Sequence, residues 1–424
     1  MAVRKKNNGN KRPQLSWRTV TRGVLQDGLY VNSIWIVVNS IGLSGFGFLF
    51  WVINARLFSS GQLGLASTLI SSGELLLTLS LLGFDLALIR YLPNNTDKHK
   101  IINSCFTLAG LFAIVTSLVF VGFARFFVED LSVLWNVLWG IIFVIFVVSY
   151  MFLRLQSSVL IAQKRSKYVF LKTLIFSVLK VSLPFVLVFL GALGIISSWA
   201  IGAIASLIGG FLFIKMLPRL RISIPIIKKM FSFSAVNYIC TFLALAPESI
   251  LPLLITGKLN TSSTAYYYIA WNITAILFIV PNAISRTLLA ENARLLTINL
   301  KKAIKFTATL LIPAVIIVVF ISKYLLLLFG TEYSTHAHRL LQLLAISSIP
   351  FAINTIYICV QNVKHNLRAV FTVNIILASS TIGLSYLLLE RGILFAGISW
   401  LISHGVIACV VLINSLVKKS EHKI

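Results

Sequence analysis

GIISSWAIGAIASLIGGFLFIKM (194–216), LPRLRISIPIIKK (217–229) and FSFSAVNYICTFLALAPESILPLLITG (231–257) follow one another in the middle of the chain. The first and third are each long enough to cross the ~30 Å apolar core of a bilayer, which takes ~20 helical residues. The connection between them is short and carries Arg219, Arg221, Lys228 and Lys229. Lipid satisfies no backbone N–H or C=O, so an apolar run of this length spans as a helix. The stretch therefore reads as a span, a basic turn and a second span.

The same pattern extends in both directions. Twelve apolar segments run through the chain, at 31–54, 62–89, 101–124, 132–153, 168–191, 194–216, 231–257, 264–289, 303–329, 337–362, 369–389 and 392–416. Lys and Arg crowd alternate connections: with both tails, one side holds 29 of them and the other only six, Arg56, Arg125, Lys258, Lys323, Arg339 and Arg391. Basic connections stay cytoplasmic, which places both termini there. The expected fold is an all-α polytopic membrane protein of twelve transmembrane helices in two six-helix bundles. The organisation reads as a basic tail with an interfacial helix (1–30), a first bundle (31–216), a basic linker (217–230), a second bundle (231–416) and a short cytoplasmic tail (417–424). In the first tail Leu15, Trp17, Val20, Val24 and Leu25 alternate with Arg18, Thr21 and Arg22, the composition of a helix lying in the interface. A cleavable leader is not expected, because the first apolar segment is full length and follows a long basic tail.

This topology accounts for the net charge of +26, which in a soluble protein would suggest nucleic acid. Here the charge flanks helices and faces anionic headgroups. Cys105, Cys240, Cys359 and Cys409 sit inside apolar segments at unrelated spacings, with neither metal motif nor disulfide framework. His336 and His338 are read as part of a solvated loop around 330–335 with Glu332 nearby, and no metal or other cofactor is expected. Connections on both sides are too short for a catalytic domain, and no Asp-x-Asp, Gly-rich phosphate loop or Ser/His pairing occurs in them, so the chain reads as a carrier and not an enzyme.

Charges inside the apolar segments define the candidate site. A charge at the bilayer centre costs on the order of 2.5–3.5 kcal/mol, so such residues persist where they face a cavity or one another. Glu74, Asp85, Lys172, Lys180 and Glu248 lie within segments, with Arg286 and Arg90 at cytoplasmic ends. Ser67, Ser71, Glu74, Thr78 and Asp85 form a stripe at helical spacing on the second segment. Ser234, Asn237, Thr241 and Glu248 repeat it on the seventh, Ser347, Asn354 and Gln361 recur every seven residues on the tenth, and Asn32 and Asn39 lie on the first. Polar helix-to-helix contacts would explain any one stripe; four together favour a water-filled cavity. Pro247 and Pro252 flank Glu248, and Pro281, Pro313 and Pro350 interrupt later segments, which makes the seventh segment the expected bending element. Gly202, Ser206 and Gly210 form a small-residue ridge suited to close packing. Val31-Asn32 and Ala55-Arg56-Leu57 echo as Val236-Asn237 and Gly257-Lys258-Leu259, as expected of parallel repeats.

FWVINARLF (50–58), GQLGLASTLIS (61–71) and LSLLGFDLALIRYLP (79–93) resemble the first two helices of polysaccharide and lipid-linked oligosaccharide flippases of the multidrug/oligosaccharidyl-lipid/polysaccharide exporter superfamily. The resemblance is most specific over 29–93. It implies movement of a polyprenyl-(di)phosphate-linked oligosaccharide from the cytoplasmic to the outer leaflet of a prokaryotic plasma membrane. The partners it implies are membrane lipids, the lipid-linked glycan and other polysaccharide-assembly membrane proteins. Lipid II flippases usually have fourteen helices and a basic first helix, and the superfamily's drug antiporters commonly have an acid there; this chain has twelve segments and no charge between Asp27 and Arg56. An ion-coupled multidrug or small-molecule exporter is the alternative.

On this reading Lys172, Lys180, Arg286 and Arg90 would offer positive charge to the phosphate, and Asn32, Asn39, Asn237 and Asn354 would replace water around the sugar. Glu74, Asp85 and Glu248 would couple or gate transport through a proton or sodium ion.

Overall fold

A computed structural model of the chain describes residues 28–214, 217–295 and 300–421. The expected interfacial helix in the first tail lies outside the described residues. Among the described residues every regular element is helical, and twelve helices have the length and apolarity to span a membrane.

The first bundle contains α1 (Gly28–Leu57), α2 (Ser60–Leu81), α3 (Phe84–Tyr91), α4 (Lys98–Phe127), α5 (Val137–Ala162), α6 (Ser166–Leu187) and α7 (Ala192–Ile214). The second contains α8 (Ile224–Lys258), α9 (Thr261–Leu295), α10 (Leu300–Leu327), α11 (Thr331–Val363), α12 (Leu367–Leu388) and α13 (Leu394–Glu421). The bundles meet chiefly where α2 packs against α8 and α9. Phe126, Phe189, Leu212 and Phe320 are among the large apolar side chains left on the outer surface, where lipid covers them at no cost.

Three local features depart from the apolar pattern. The second segment is two helices, because Leu82 (φ 50°) and Gly83 (φ 74°) adopt the left-handed conformation and end α2 before α3 begins. The expected stripe therefore stops short of Asp85, which lies in the first turn of α3. The fourth span runs to Ala162, so Arg154, counted above in a connection, is two turns inside a helix. A hydropathy profile ends at a charge, but the backbone ladder continues through it. The loop expected around 330–335 is also helix: α11 starts at Thr331, with His336 stacked on Tyr266 at 5.1 Å and His338 Nδ1 beside the Ser334 carbonyl.

The small-residue ridge on α7 lets three helices lace together. A Cβ on Gly210 would lie 2.1 Å from Gln156 Oε1, and one on Gly202 would lie 3.1 Å from the Phe176 carbonyl oxygen. Ser206 donates to the Lys172 carbonyl (2.6 Å) and Gln156 donates to the Leu207 carbonyl (3.0 Å).

Candidate functional site

At the end of the bundles away from the termini, the distal face, the two bundles are sealed together. The backbones approach closely at Gly64 on α2, where a Cβ would lie 1.6 Å from the Thr261 carbonyl oxygen at the start of α9. The Thr68 and Thr256 hydroxyls meet across the junction at 2.5 Å, and Thr256 in turn meets Thr264 at 2.7 Å. Nearer the surface Ser60 donates to Glu332 Oε1 (2.7 Å), which also accepts from Tyr266, while Arg56 donates to the Leu327 and Leu328 carbonyls. Arg56 and Lys258 occupy corresponding ends of α1 and α8; Lys258 pairs with Glu390 at 2.6 Å.

A cavity of about 530 Å³ lies within the second bundle, walled by α8, α9, α11, α12 and α13, with Leu86 of the first bundle at its rim. Asn362, in the last turn of α11, marks its end at the termini face, and Glu248, Thr381 and Trp400 line it deeper in the membrane. Its polar wall is rich in carboxamides: Asn237, Asn282, Asn354, Asn362 and Asn374. Asn354 donates to the His404 carbonyl (3.0 Å) and Asn374 to the Cys240 carbonyl (3.3 Å), bonds that tie α11 to α13 and α12 to α8. The aromatic wall is built from Phe351 and Trp400, and His404 lies parallel to Trp400 at 4.9 Å. A volume near 500 Å³ lined by rings and a few polar groups suits a small ligand or one part of a larger one.

Of the sequence-predicted site residues, the structure brings Asn237, Asn354 and Glu248 together in this cavity. The helical spacing on the seventh and tenth segments places them on facing walls. Asn282, Asn374, Thr355, Trp400 and His404 join them and were missed, since isolated polar residues and aromatics in a membrane helix give no periodic signal.

The lysines expected to line a lumen do not line this cavity. Lys172 is fully buried within the first bundle and donates to the Leu153 carbonyl at 2.6 Å. Lys180 is 3% exposed, and its ammonium lies 4.5 Å from the Trp199 ring centroid, 5.0 Å from Phe50 and 5.2 Å from Phe176. Each cation–π contact is worth ~0.5–2 kcal/mol, so a box of three rings offsets much of the cost of holding an ammonium away from water. Arg286 and Arg90 are exposed at helix surfaces, and Arg90 sits over Tyr91. None of these four lines the cavity, and among its described lining residues there is no Lys or Arg.

Asn32 accepts from the Ser166 backbone N–H at 3.0 Å and so joins α1 to the start of α6. Asn39, seven residues on, lies on the same helix face, and neither lines the cavity. On α2, Ser67 folds back on the Leu63 carbonyl and Ser71 bonds Tyr268 of α9, so that stripe serves helix packing.

Where the bundles meet near mid-span, Glu74 of α2 comes within electrostatic range of Arg154, Lys180 and Glu248. Tyr150 and Arg154 stand one turn apart on the same face of α5, both within electrostatic range of Glu74. Arg154 is exposed, whereas Lys180 is buried in its box of rings. Asp85 is half-buried near Tyr238, whose hydroxyl donates to the Leu79 carbonyl at 2.8 Å. Among the described residues no group of His, Cys, Asp and Glu is placed to hold a metal, and the four cysteines are free.

The family model described as "Polysaccharide biosynthesis protein" matches residues 29–289. No curated protein matches the sequence. The fold is similar to that of a lipid II flippase MurJ in an inward closed conformation, with TM-score 0.74 and 14% identity over 90% of this chain and 87% of that one. It is also similar to an inward-facing multidrug resistance MATE transporter of the MOP superfamily (TM-score 0.64, 14% identity, 90% and 95% of the two chains). A MATE structure in the bent conformation matches at TM-score 0.61 and 13% identity over 95% and 98%.

Proposed function

Because the chain belongs to the polysaccharide biosynthesis protein family, we propose that it is a transporter moving a polyprenyl-(di)phosphate-linked oligosaccharide from the cytoplasmic to the outer leaflet of a prokaryotic plasma membrane. The observation that carries this reading is the cavity of five asparagines with Trp400 and Phe351, reaching the termini face while the distal junction is sealed. A sugar loses its hydration only where its hydroxyls find other partners, and carboxamides donate and accept at once. Aromatic faces offer the apolar side of a sugar ring a surface to lie on. The excess of Lys and Arg on the connections at the termini face supports a cytoplasmic entrance there.

The phosphate linker needs a cation outside the asparagine cavity. Arg154, within range of Glu74 at the junction of the bundles, is the residue we assign to it; the guanidinium fork suits phosphate oxygens. The lipid tail stays in the membrane. Rocking of one bundle against the other would break the distal seal and deliver the sugar outward, with Glu248 and Glu74 available to a coupling proton or sodium ion.

The test is reconstitution with a fluorescent lipid-linked oligosaccharide, with deletion of the gene in its host. Flipping in proteoliposomes that falls at least tenfold in Asn237→Ala/Asn282→Ala and in Arg154→Gln, with normal protein abundance, is expected. Deletion should strip the surface glycan. A second reading, an ion-coupled exporter of small cations, is favoured by the single carboxylate of Glu248 beside Trp400 and Phe351. Intact surface glycan and new sensitivity to cationic dyes on deletion would replace the first reading with the second.

A further inference from the structure

A second, larger cavity of about 1640 Å³ lies at the termini face of the first bundle, between the start of α4, the end of α7 and the linker that follows. It shares no lining residue with the asparagine cavity. The linker crosses α4 as a strap bent at Leu220. The backbone N–H groups of Arg219, Arg221 and Ser223 donate in turn to Asn103 Oδ1 (2.9 Å), Thr107 Oγ1 (3.3 Å) and Ser104 Oγ (2.9 Å). Arg219 and Arg221 flank the bend at Leu220, and both line the cavity. Both side chains are exposed, and neither guanidinium has a hydrogen-bond or ion-pair partner among the described residues. His99 and Lys100 of the first turn of α4 complete the basic wall, with Lys100 also bonded to Asp97 at 2.9 Å.

The opposite wall is apolar, with Phe211 and Leu212 from the last turns of α7, and Leu212 is 71% exposed toward the bilayer. Lys98 begins one membrane-spanning segment and Ile214 ends another, so the cavity sits at the depth of the lipid headgroups. A basic wall at headgroup depth, in which Asp97 engages Lys100 and leaves Arg219 and Arg221 unpaired among the described residues, is continuous with an apolar wall below it and has the polarity of one lipid molecule standing in the leaflet.

We propose that this cavity binds the headgroup of an anionic glycerophospholipid of the bilayer, which bridges the linker to α4 and α7 and holds the strap between the two bundles in place. The occupant is a bilayer lipid and not the transported one, because the cavity shares no lining residue with the asparagine cavity and its apolar wall is Phe211 and Leu212 of α7, with Ile224 and Pro225 at the start of α8 closing its other end. The inference stands independently of the transport reading.

The test is lipid binding to the full-length protein in neutral detergent, measured by native mass spectrometry and thermal shift with phosphatidylglycerol, phosphatidylcholine, inorganic phosphate and polyprenyl phosphate. Phosphatidylglycerol should bind and stabilise; phosphatidylcholine and inorganic phosphate should not. Each surface charge is worth about fivefold in affinity for an anionic lipid, so Arg219→Gln/Arg221→Gln should weaken binding about 25-fold. Arg219→Lys/Arg221→Lys, which keeps both charges, should retain it, and Lys364→Gln/Arg368→Gln in the second bundle should leave it unchanged. Equal binding of phosphatidylcholine, tight binding of inorganic phosphate, preference for polyprenyl phosphate, or an equal loss in the second-bundle variant would each overturn the proposal.

Discussion

Gly64→Ala puts one methyl group at a tight backbone approach between the bundles. The added Cβ would lie 1.6 Å from the Thr261 carbonyl oxygen and 2.5 Å from its carbon, both backbone atoms, so no rotamer relieves the contact. Reaching the ordinary contact distance of 3.4 Å requires α2 and α9 to separate by about 1.8 Å at this height. Such a shift breaks the Thr68–Thr256 contact (2.5 Å) and the Ser60–Ser262 contact (3.1 Å). At ~1 kcal/mol net for each hydrogen bond, the sealed state loses ~2 kcal/mol, about a 30-fold change in the ratio of sealed to opened forms. Overpacking in a tight junction costs ~1–3 kcal/mol by itself, which agrees. Spin labels replacing Phe126 at the distal end of α4 and Leu387 near that of α12 read the separation of the bundles. In Gly64→Ala the longer-distance population should grow severalfold, with membrane abundance unchanged. An unaltered distance distribution would refute the account of Gly64 as the closure point.

Glu332→Ala removes the acceptor shared by Ser60 and Tyr266 and should open the same face, so the same labels should show a longer population in this variant too. Lys180→Met leaves the aromatic box filled and removes a charge without a hydrogen-bond partner among the described residues; export should persist at no less than about half, and loss of export with normal abundance would place Lys180 on the transport path. Glu248→Gln should retain the fold and the cavity, and flipping in proteoliposomes should lose its dependence on an imposed proton or sodium gradient. Full gradient dependence in that variant would remove Glu248 from coupling.

Hydropathy and charge determined the spans without any knowledge of neighbours, because the bilayer acts on each segment separately. A span needs only length, apolarity and an internally bonded backbone, all local properties. The motifs over 29–93 identified the family for the same reason: they are contiguous. Asn237 and Glu248 on one segment and Asn354 on another were legible as residues of inward helix faces because a regular helix turns fixed spacing into one face, and all three line the cavity.

Tertiary structure decided which face meets what. Lys172 and Lys180 looked alike in sequence, as lysines in an apolar segment, yet one ends on a carbonyl of α5 and the other among three rings supplied by α1, α6 and α7. Asp85 left the stripe of Glu74 because two left-handed residues turn the chain between them. Arg154 came inside a helix when α5 proved to continue past it, and Glu332 joined the distal seal through Ser60, 272 residues away. Spacing along one helix fixes a direction, but the energy of a buried charge depends on the atoms standing in that direction, and those belong to helices brought alongside only by packing.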